Sequence, residues 1–418
     1  MTLVHIIGAG LAGLSTAIRL LDAGMRVRLY EAAGHAGGRC RSFEDKHLGT
    51  LIDNGNHLIM SGNRSATSYL ERIGARDTMI EPPRAVFPFI DLKTGERWTL
   101  RPNPGPLPYW LLDPARRVPK TRFADYGSGL NVAFAGPDKT VADVLDTDGP
   151  LYERFWEPLV LAALNTTADN GAARLLRIVL LETFAKGEAA CRPLIAREGL
   201  GPSFVDPALD HLAKGGAEIR YAHRLAGLVR DGDRVRRLDF HHGPIDVADD
   251  DWVVLALPST RAGQILPELD PPGDGGVIVN AHYRLDRTVE GSDTMPFLGL
   301  INSPVHWIFL RGDIVSLTIS AAGALADEPA ETLLPRLWRD TAQALDLGET
   351  SYRAARMIKE RKATFDESPA GLAKRSGPGT ASTNLALAGD WTDTGLPATI
   401  ESAIRSGERA CAHIRARA

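Results

Sequence analysis

The first thirty residues alternate between short apolar runs and one amphipathic stretch. The run Leu3–Ile7 is almost entirely apolar and predicts a buried strand. Apolar residues at helical spacing follow over Leu14–Ala23, and Gly24 is a typical residue to end that helix. A second run, Met25–Tyr30, predicts another strand. The order strand, helix, strand predicts a βαβ unit with parallel strands.

A related pattern returns near Phe204. A helix is predicted at Ala208–Lys214, and the apolar run Trp252–Pro258 predicts a strand covered on both faces, as in parallel sheets. Between them lie three more predicted strands, at Glu218–Tyr221, Leu225–Arg230 and Val235–Phe240. We therefore expect the parallel sheet that starts at the N-terminus to continue in this later part of the chain.

Residues 275–320 show the alternation of antiparallel strands. Four strands are predicted, at Val277–Leu285, Phe297–Ile301, His306–Leu310 and Ile314–Ser320, with a helix near Ala330–Leu345 covering them. The predicted fold class is α/β with two discontinuous domains. Residues 1–57, 204–274 and 380–418 would form the parallel-sheet domain, and residues 58–203 and 275–379 an α+β domain.

Three glycines lie where the first predicted strand meets the helix. Gly8 permits a tight turn, Gly10 lets the backbone approach a pyrophosphate, and Gly13 lets the helix pack on the strand. Phosphates would then lie at a helix N-terminus, where free N–H groups favour negative charge. Glu31 has the spacing of a carboxylate that binds ribose hydroxyls and disfavours a 2′-phosphate. The predicted dinucleotide site comprises Gly8, Gly10, Leu11, Ala12, Gly13 and Glu31.

Motifs near both chain ends point to a flavin. Gly37-Gly38-Arg39 follows Glu31, and Gly389-Asp390 precedes a predicted helix start at Ala398–Glu401. Together they resemble the FAD-dependent amine oxidase and phytoene desaturase superfamily. The resemblance implies a Rossmann-like FAD-binding domain, with Asp390 on the ribityl chain and the helix start at the flavin pyrimidine edge. The predicted FAD site therefore adds Gly38, Arg39, Gly55, Asn56, Val229, Gly389, Asp390, Ala398, Thr399, Ile400 and Glu401.

Other segments resemble one branch of that superfamily, the squalene-associated FAD-dependent desaturases now understood as hydroxysqualene dehydroxylases. They are Ile52–His57, Phe155–Leu159, Ala163–Thr166, Lys362–Phe365 and Thr394–Glu401. Asn56 departs from the family, which has glutamine there. The resemblance implies non-covalent FAD and reduction of hydroxysqualene to squalene, within squalene and hopanoid biosynthesis. It also implies a lipophilic substrate handed over by a squalene-synthase-like enzyme.

Two other flavoenzyme classes stay open from the sequence. A carotenoid or phytoene-type desaturase would use the same fold in the oxidative direction. A flavin amine oxidase is disfavoured, because its family usually carries a lysine in the strand that matches Val277–Tyr283, and this chain has none there. The stretch Gly389–Glu401 also lacks the cysteine to which some amine oxidases link their flavin.

The implied reaction needs an acid, because hydroxide is a poor leaving group. His57 is the first candidate, since it follows the Gly55 turn that the superfamily places near the flavin ring, and Asp53 is the second. Each has a structural alternative. His57 could hydrogen-bond backbone or flavin, and Asp53 could fix its own loop by accepting N–H groups of residues 54–57.

The composition of the chain limits the classes of molecule that it could bind. With 48 Lys and Arg against 52 Asp and Glu, the net charge of −4 gives no basic footprint for nucleic acid. Three widely spaced cysteines form neither a disulfide framework nor a metal-ligand pattern, which suits a cytoplasmic protein. Leu107–Leu112, followed by Arg116, Arg117 and Lys120, fits either a peripheral anchor at the inner face of the cytoplasmic membrane or a loop buried under the cap domain.

Overall fold

A parallel five-stranded sheet forms the centre of the first domain. The computed structural model describes residues 2–292 and 296–418, so residues 293–295 of the predicted α+β domain lie outside the described part. Across the sheet the strands are Glu218–Arg220, Arg26–Tyr30, Leu3–Ile7, Trp252–Leu255 and Leu385–Leu387. All neighbours pair in parallel, which confirms the βαβ unit and its later continuation.

Helices cover this sheet. The first helix, Leu11–Asp22, packs along the C-terminal helix, Ile400–Arg415, and both join the same apolar core. Gly407 makes this close approach possible, because a Cβ atom there would lie 2.6 Å from the carbonyl oxygen of Ala12. Two more helices border that core, Arg64–Arg72 and Asp206–Lys214.

A separate three-stranded antiparallel sheet lies beside the parallel one. Its strands are Leu225–Asp231, Arg234–Phe240 and Gly243–Asp246. Phe240 packs against Tyr30 with ring centroids 4.7 Å apart. This sheet therefore borders the end of the second parallel strand, next to Glu31.

The second domain is built on a seven-stranded sheet. In order its strands are Ala354–Glu360, Ile278–Arg284, Ile314–Ile319, Trp307–Arg311, Phe297–Ile301, Phe87–Asp91 and Arg97–Leu100. The four strands predicted from alternation are confirmed, and the helix Ala330–Ala344 packs on them. Three strands were missed, among them Phe87–Asp91, which pairs with Phe297–Ile301 more than 200 residues away.

The remaining elements are short. The strands are Ser42–Asp45, Thr50–Asp53, Ile59–Met60, Met79–Ile80 and Pro193–Ala196. The helices are Gly129–Ala133, Glu157–Leu164, Ala173–Glu182, Ser259–Ile265, Gly323–Ala326 and Pro369–Ala373. The domain boundaries stay a prediction, and Tyr69 and Leu70, from the range 58–203, pack in the core of the parallel-sheet domain.

Candidate functional site

The glycine turn after the first strand leaves open space at a helix N-terminus. Gly8 has φ +107°, and a Cβ there would lie 2.3 Å from the carbonyl oxygen of Ala256. A Cβ at Gly13 would lie 1.9 Å from the carbonyl oxygen of Gly8, whereas one at Gly10 would meet no described atom within 4 Å. The first helix begins at Leu11 without a side-chain cap. The turn therefore offers space and helix N–H groups, including that of Ala12, to an anionic group.

A second glycine pair lies against this turn. The N–H of Gly37 donates to the carbonyl of Ala9 at 2.8 Å, and Gly37 forms a parallel bridge with Gly10. Gly38 has φ +56°, and a Cβ there would lie 3.3 Å from the Cα atom of Gly10. The structure thus brings the predicted residue Gly38 to the glycine turn.

Glu31 directly follows the second parallel strand. Its carboxylate accepts hydrogen bonds from two loops, the glycine turn and the loop after this strand. Its Oε2 accepts the N–H of Ala9 at 2.8 Å, and its Oε1 accepts the N–H of Ala33 at 2.8 Å. A carboxylate has about four acceptor positions, so two stay free for ribose hydroxyls. Val229 lies in the adjoining three-stranded sheet, where its side chain is 38% exposed.

An ion pair joins the two ends of the chain. One terminal nitrogen of Arg39 donates to both carboxylate oxygens of Asp390, each at 2.7 Å, and the other donates to the carbonyl of Ala363 at 2.6 Å. Asp390 is buried and follows Gly389, which has φ +155°. The predicted ribityl ligand is therefore held beside the glycine turn by the arginine that the sequence had singled out.

At the start of the C-terminal helix, another protein group binds a backbone N–H group that we expected to face the flavin. The N–H of Ala398, predicted to face the flavin, donates to Oε1 of Glu367 at 2.5 Å. Thr399 caps the helix by accepting the N–H of Ser402 at 3.1 Å. Ile400 opens the helix itself. The amide of Ala398 is thus already satisfied within the protein.

Glu401 is a capping residue for a different helix. Its carboxylate accepts the N–H groups of Ser65 at 3.0 Å and Ala66 at 2.8 Å, and pairs with Arg405 at 2.8 Å. Negative charge is favourable at the N-terminus of the helix Arg64–Arg72. The side chain of Glu401 therefore fastens that helix, which leaves only its backbone for a cofactor.

The two predicted catalytic residues border one cavity of about 80 Å³. That volume holds a few water molecules and is far smaller than a thirty-carbon chain. Both polar and apolar residues line it: Asp53, Asn56, His57, Ile80, Ile195, Ala196, Arg197, Leu200, Ser292, Pro296, Phe309, Leu310, Arg311, Gly312 and Ser316. The cavity is therefore a small compartment of mixed polarity beside the Gly55 turn.

Asp53 is 3% exposed and fully engaged. Its Oδ1 accepts the hydroxyl of Ser42 at 2.5 Å and the N–H of Leu200 at 2.8 Å, and its Oδ2 accepts from Arg311 at 2.8 Å. The donors are thus not the N–H groups of residues 54–57, since the fold brings Leu200 and Arg311 to this carboxylate. These hydrogen bonds tie three distant segments to Asp53.

His57 faces the cavity as a neutral ring. Burial lowers the pKa of His57 to about 4, against the nearby charge of Asp53, which acts to raise it. Arg39 lowers it further. At neutral pH the ring therefore carries one N–H donor and one acceptor nitrogen rather than a positive charge.

Sequence reasoning missed two buried groups near these residues. His282 lies 2.7 Å from the hydroxyl of Ser316, a cavity residue, and burial lowers the pKa of His282 to about 4. Glu367 is 3% exposed, and burial raises the pKa of its carboxyl well above the ordinary value. Strand alternation could have placed His282 inward, but no sequence signal marks Glu367.

These features fit a bound FAD. The space at Gly10 and the uncapped helix suit the pyrophosphate, Glu31 suits the adenosine ribose, and Asp390 suits the ribityl hydroxyls. Among the described residues, no group of three or more His, Cys, Asp or Glu could hold a metal ion.

The fold and this two-ended site define a flavoprotein of the amine oxidase type. The family described as flavin containing amine oxidoreductase matches residues 11–415, and the chain belongs to it. Wild-type putrescine oxidase bound to putrescine shares the fold, with a TM-score of 0.75 at 15% identity over 99% of both chains. The chain is therefore an FAD-dependent oxidoreductase.

Closer relatives define the branch. The chain is 44% identical over 408 residues to the hydroxysqualene dehydroxylase of Sinorhizobium fredii, covering 97% of each chain. It is 44% identical over 409 residues to the hydroxysqualene dehydroxylase of Rhodopseudomonas palustris, again covering 97% of each. The chain thus belongs to the hydroxysqualene dehydroxylases, as the motif at Ile52–His57 had indicated.

Proposed function

We propose that this chain reduces hydroxysqualene to squalene. The observation that carries the proposal is the 44% identity to hydroxysqualene dehydroxylases over almost the full length of both chains. When bound, reduced FAD supplies the hydride that replaces the hydroxyl group. Hydroxysqualene, a hydride and a proton then give squalene and water, and the flavin is left oxidised.

The residues of this chain would hold the cofactor without a covalent bond. The turn at Gly10 would receive the pyrophosphate, Glu31 the adenosine ribose and Asp390 the ribityl chain. Support comes from the Arg39–Asp390 pair, which orients the carboxylate from the opposite end of the chain. Acid precipitation should release all flavin into the supernatant, whereas yellow colour in the pellet would contradict this.

His57 is the residue proposed at the reacting hydroxyl, and Asp53 is proposed as its supporting residue. Both line the cavity, and the neutral ring of His57 would donate an N–H hydrogen bond to the departing oxygen, while the proton that completes the water molecule would come from solvent. Asp53, fixed by Arg311, would hold the loop that carries His57. The cavity has the size and polarity to receive the water that is released.

The direction of the reaction is tested anaerobically. We expect enzyme with reduced FAD to convert hydroxysqualene to squalene, with one flavin reoxidised for each product molecule. Phytoene offered to the oxidised enzyme is the control. Desaturation of phytoene by oxidised enzyme, with hydroxysqualene left untouched by reduced enzyme, would establish the desaturase alternative instead.

We further propose that the chain docks on the cytoplasmic face of a membrane. Six large apolar side chains between residues 107 and 134 are each more than half exposed: Leu107, Tyr109, Leu112, Phe123, Leu130 and Phe134. The rings of Trp110 and Tyr126 are in edge contact, with centroids 5.8 Å apart, and this contact connects residues 107–112 to residues 123–134. Within the segment that the sequence left open, Leu107, Tyr109 and Leu112 are exposed although Trp110 is buried, and this exposure supports the proposal.

The charge beside this docking surface fits anionic lipid. From Arg101 to Arg122 the chain has five basic residues and one acidic residue, Asp113. Apolar side chains flanked by basic ones are typical of peripheral attachment. No helix in the described part of the chain is long and apolar enough to cross a membrane. A surface of this kind would give access to a lipid-dissolved substrate, supplied by a squalene-synthase-like enzyme.

Vesicle flotation tests the docking surface. We expect the wild type to float with phosphatidylglycerol vesicles and to bind phosphatidylcholine vesicles more weakly. The double variant Leu107→Ser/Phe134→Ser should bind at least about tenfold more weakly, because two apolar side chains no longer enter the lipid. Leu181→Ser, at an exposed leucine outside the surface, is the matched control. Equal flotation of the double variant and the control would exclude this surface.

A further inference from the structure

Glu367 is a buried carboxyl group with one oxygen unused. It lies between the strand Ala354–Glu360 and the helix Pro369–Ala373. Its Oε1 accepts the N–H of Ala398 at the start of the C-terminal helix. Its Oε2 is buried and has no hydrogen-bond partner among the described residues.

The groups around Glu367 do not neutralise it. Arg375 is the nearby cation, but its guanidinium donates to the carbonyls of Asp390 and Leu396, among others. Asp366 and Asp390 are negative and act to raise the pKa of Glu367, in the same direction as burial. The N–H of Ala398 and the charge of Arg375 act to lower this pKa, but burial prevails, so the fold favours the protonated carboxyl group.

The proton can be assigned to one oxygen. Oε1 accepts the N–H of Ala398, so the proton belongs on Oε2, which becomes a buried O–H donor. Buried donors in folded proteins nearly always have an acceptor, and one left unpaired costs stability. We therefore expect the acceptor for Oε2 to be an atom of a bound ligand.

We propose that Glu367, as a neutral acid, donates a hydrogen bond from Oε2 to a carbonyl oxygen of the bound flavin. The inference rests on the proposed placement of the flavin pyrimidine edge at Ala398–Glu401. In this arrangement Glu367 takes over the contact expected of the Ala398 amide, since that amide is bound to Oε1. A donor at this edge also stabilises the negative charge that the ring gains on reduction.

The affinity for FAD distinguishes the loss of a hydrogen-bond donor at position 367 from a change in side-chain volume there. Glu367→Gln keeps an acceptor for Ala398 and an N–H donor in place of the acid proton, so its Kd for FAD should stay within about threefold of wild type. Glu367→Leu has neither, and its Kd should rise about 3- to 10-fold. Asp366→Asn is the matched control for lost charge nearby. Equal Kd values for wild type, Glu367→Gln and Glu367→Leu would overturn the proposal.

Infrared spectroscopy of the holoenzyme decides the matter even if Glu367→Leu does not fold. The difference spectrum between oxidised and reduced protein should contain a carboxylic-acid C=O band that shifts on flavin reduction and is missing in Glu367→Gln. An ionised Glu367, or a band insensitive to flavin reduction, would overturn the proposal. Neither measurement uses hydroxysqualene, so a wrong substrate assignment would leave both results unchanged.

Discussion

At the scale of single residues, the site depends on side chains that have two partners at once. Glu31 binds the loop of Ala9 while keeping free acceptor positions, and Asp390 is held by Arg39 while following Gly389, whose positive φ suits glycine. The ring of His57, in contrast, makes no hydrogen bond to another described residue, and it faces a cavity. Glu31 and Asp390 can therefore accept hydrogen bonds from a cofactor, and His57 can bind a small polar group in the cavity.

Glu31→Ala should weaken FAD binding by about 1.5–3 kcal/mol, the usual value of hydrogen bonds to a charged group. The amide of Ala9 also loses its acceptor in this variant, which adds to the effect. Titration of apoprotein with FAD, followed by flavin fluorescence, measures the change. The exposed Glu44→Ala provides the control, and an unchanged Kd in Glu31→Ala would remove Glu31 from the site.

His57→Ala should slow turnover about 10²–10³-fold while FAD stays bound, as expected when a hydrogen bond to the departing oxygen is lost. Because the pKa of His57 is lowered to about 4, a rate that needs its charged form would increase as the pH falls towards 4. A rate that needs only the neutral N–H would be level above that pH. Loss of FAD would instead indicate a structural role, and turnover near wild type would remove both roles.

At the scale of secondary-structure elements, the cofactor site depends on how the C-terminal helix lies on the first helix. This contact brings Asp390 and the start of the C-terminal helix to the glycine turn. It is close because Gly407 has no side chain where Ala12 and Ser15 pass. The same helix holds the helix Arg64–Arg72 through Glu401. Its position is thus fixed from two sides.

Gly407→Ala should destabilise the protein by about 1–3 kcal/mol, because the added methyl would lie 2.6 Å from the carbonyl oxygen of Ala12 and force the helices apart. FAD retention should fall as well. Gly323→Ala is the control, since a Cβ there meets no described atom within 4 Å. Thermal unfolding of both variants measures the effect. An equal Tm for Gly407→Ala and Gly323→Ala would show that the helix contact accommodates a methyl group.

At the scale of the whole molecule, several histidines with lowered pKa values make stability depend on pH. Burial lowers the pKa of His57, His282 and His306 to about 4, from an ordinary value of 6.5. Between these values the unfolded chain binds more protons than the folded one, so stability falls as pH falls from 6.5 to 4. Glu367 acts oppositely, because burial raises the pKa of its carboxyl group.

We therefore expect the free energy of unfolding to decrease on acidification from pH 7 to pH 5 by on the order of 1 kcal/mol or more per histidine. Urea unfolding at the two pH values measures this difference. His306→Gln should reduce the pH dependence, whereas substitution of the exposed His241 should not. A difference that is the same in wild type and His306→Gln would contradict the assignment.

The sequence by itself determined the features that repeat or cluster locally. Periodicity marked the βαβ unit and four strands of the large sheet, because a buried face imposes a spacing on neighbouring residues. The glycine turn was visible for the same reason, since its strand, glycines, helix and acid follow one another along the chain. Motifs at both ends then pointed to FAD, and segments such as Ile52–His57 and Phe155–Leu159 pointed to the hydroxysqualene dehydroxylases.

Only the tertiary structure decided which distant groups meet. Asp53 contacts Leu200 and Arg311, which lie 147 and 258 residues further along the chain, rather than its own loop. Glu367 takes the amide of Ala398, and the strand Phe87–Asp91 finds its neighbour across the second domain. The exposure of residues 107–134 was also undecided by composition. Such contacts and exposures follow from how whole elements pack, and a local pattern of apolar and polar residues carries no record of its distant neighbours.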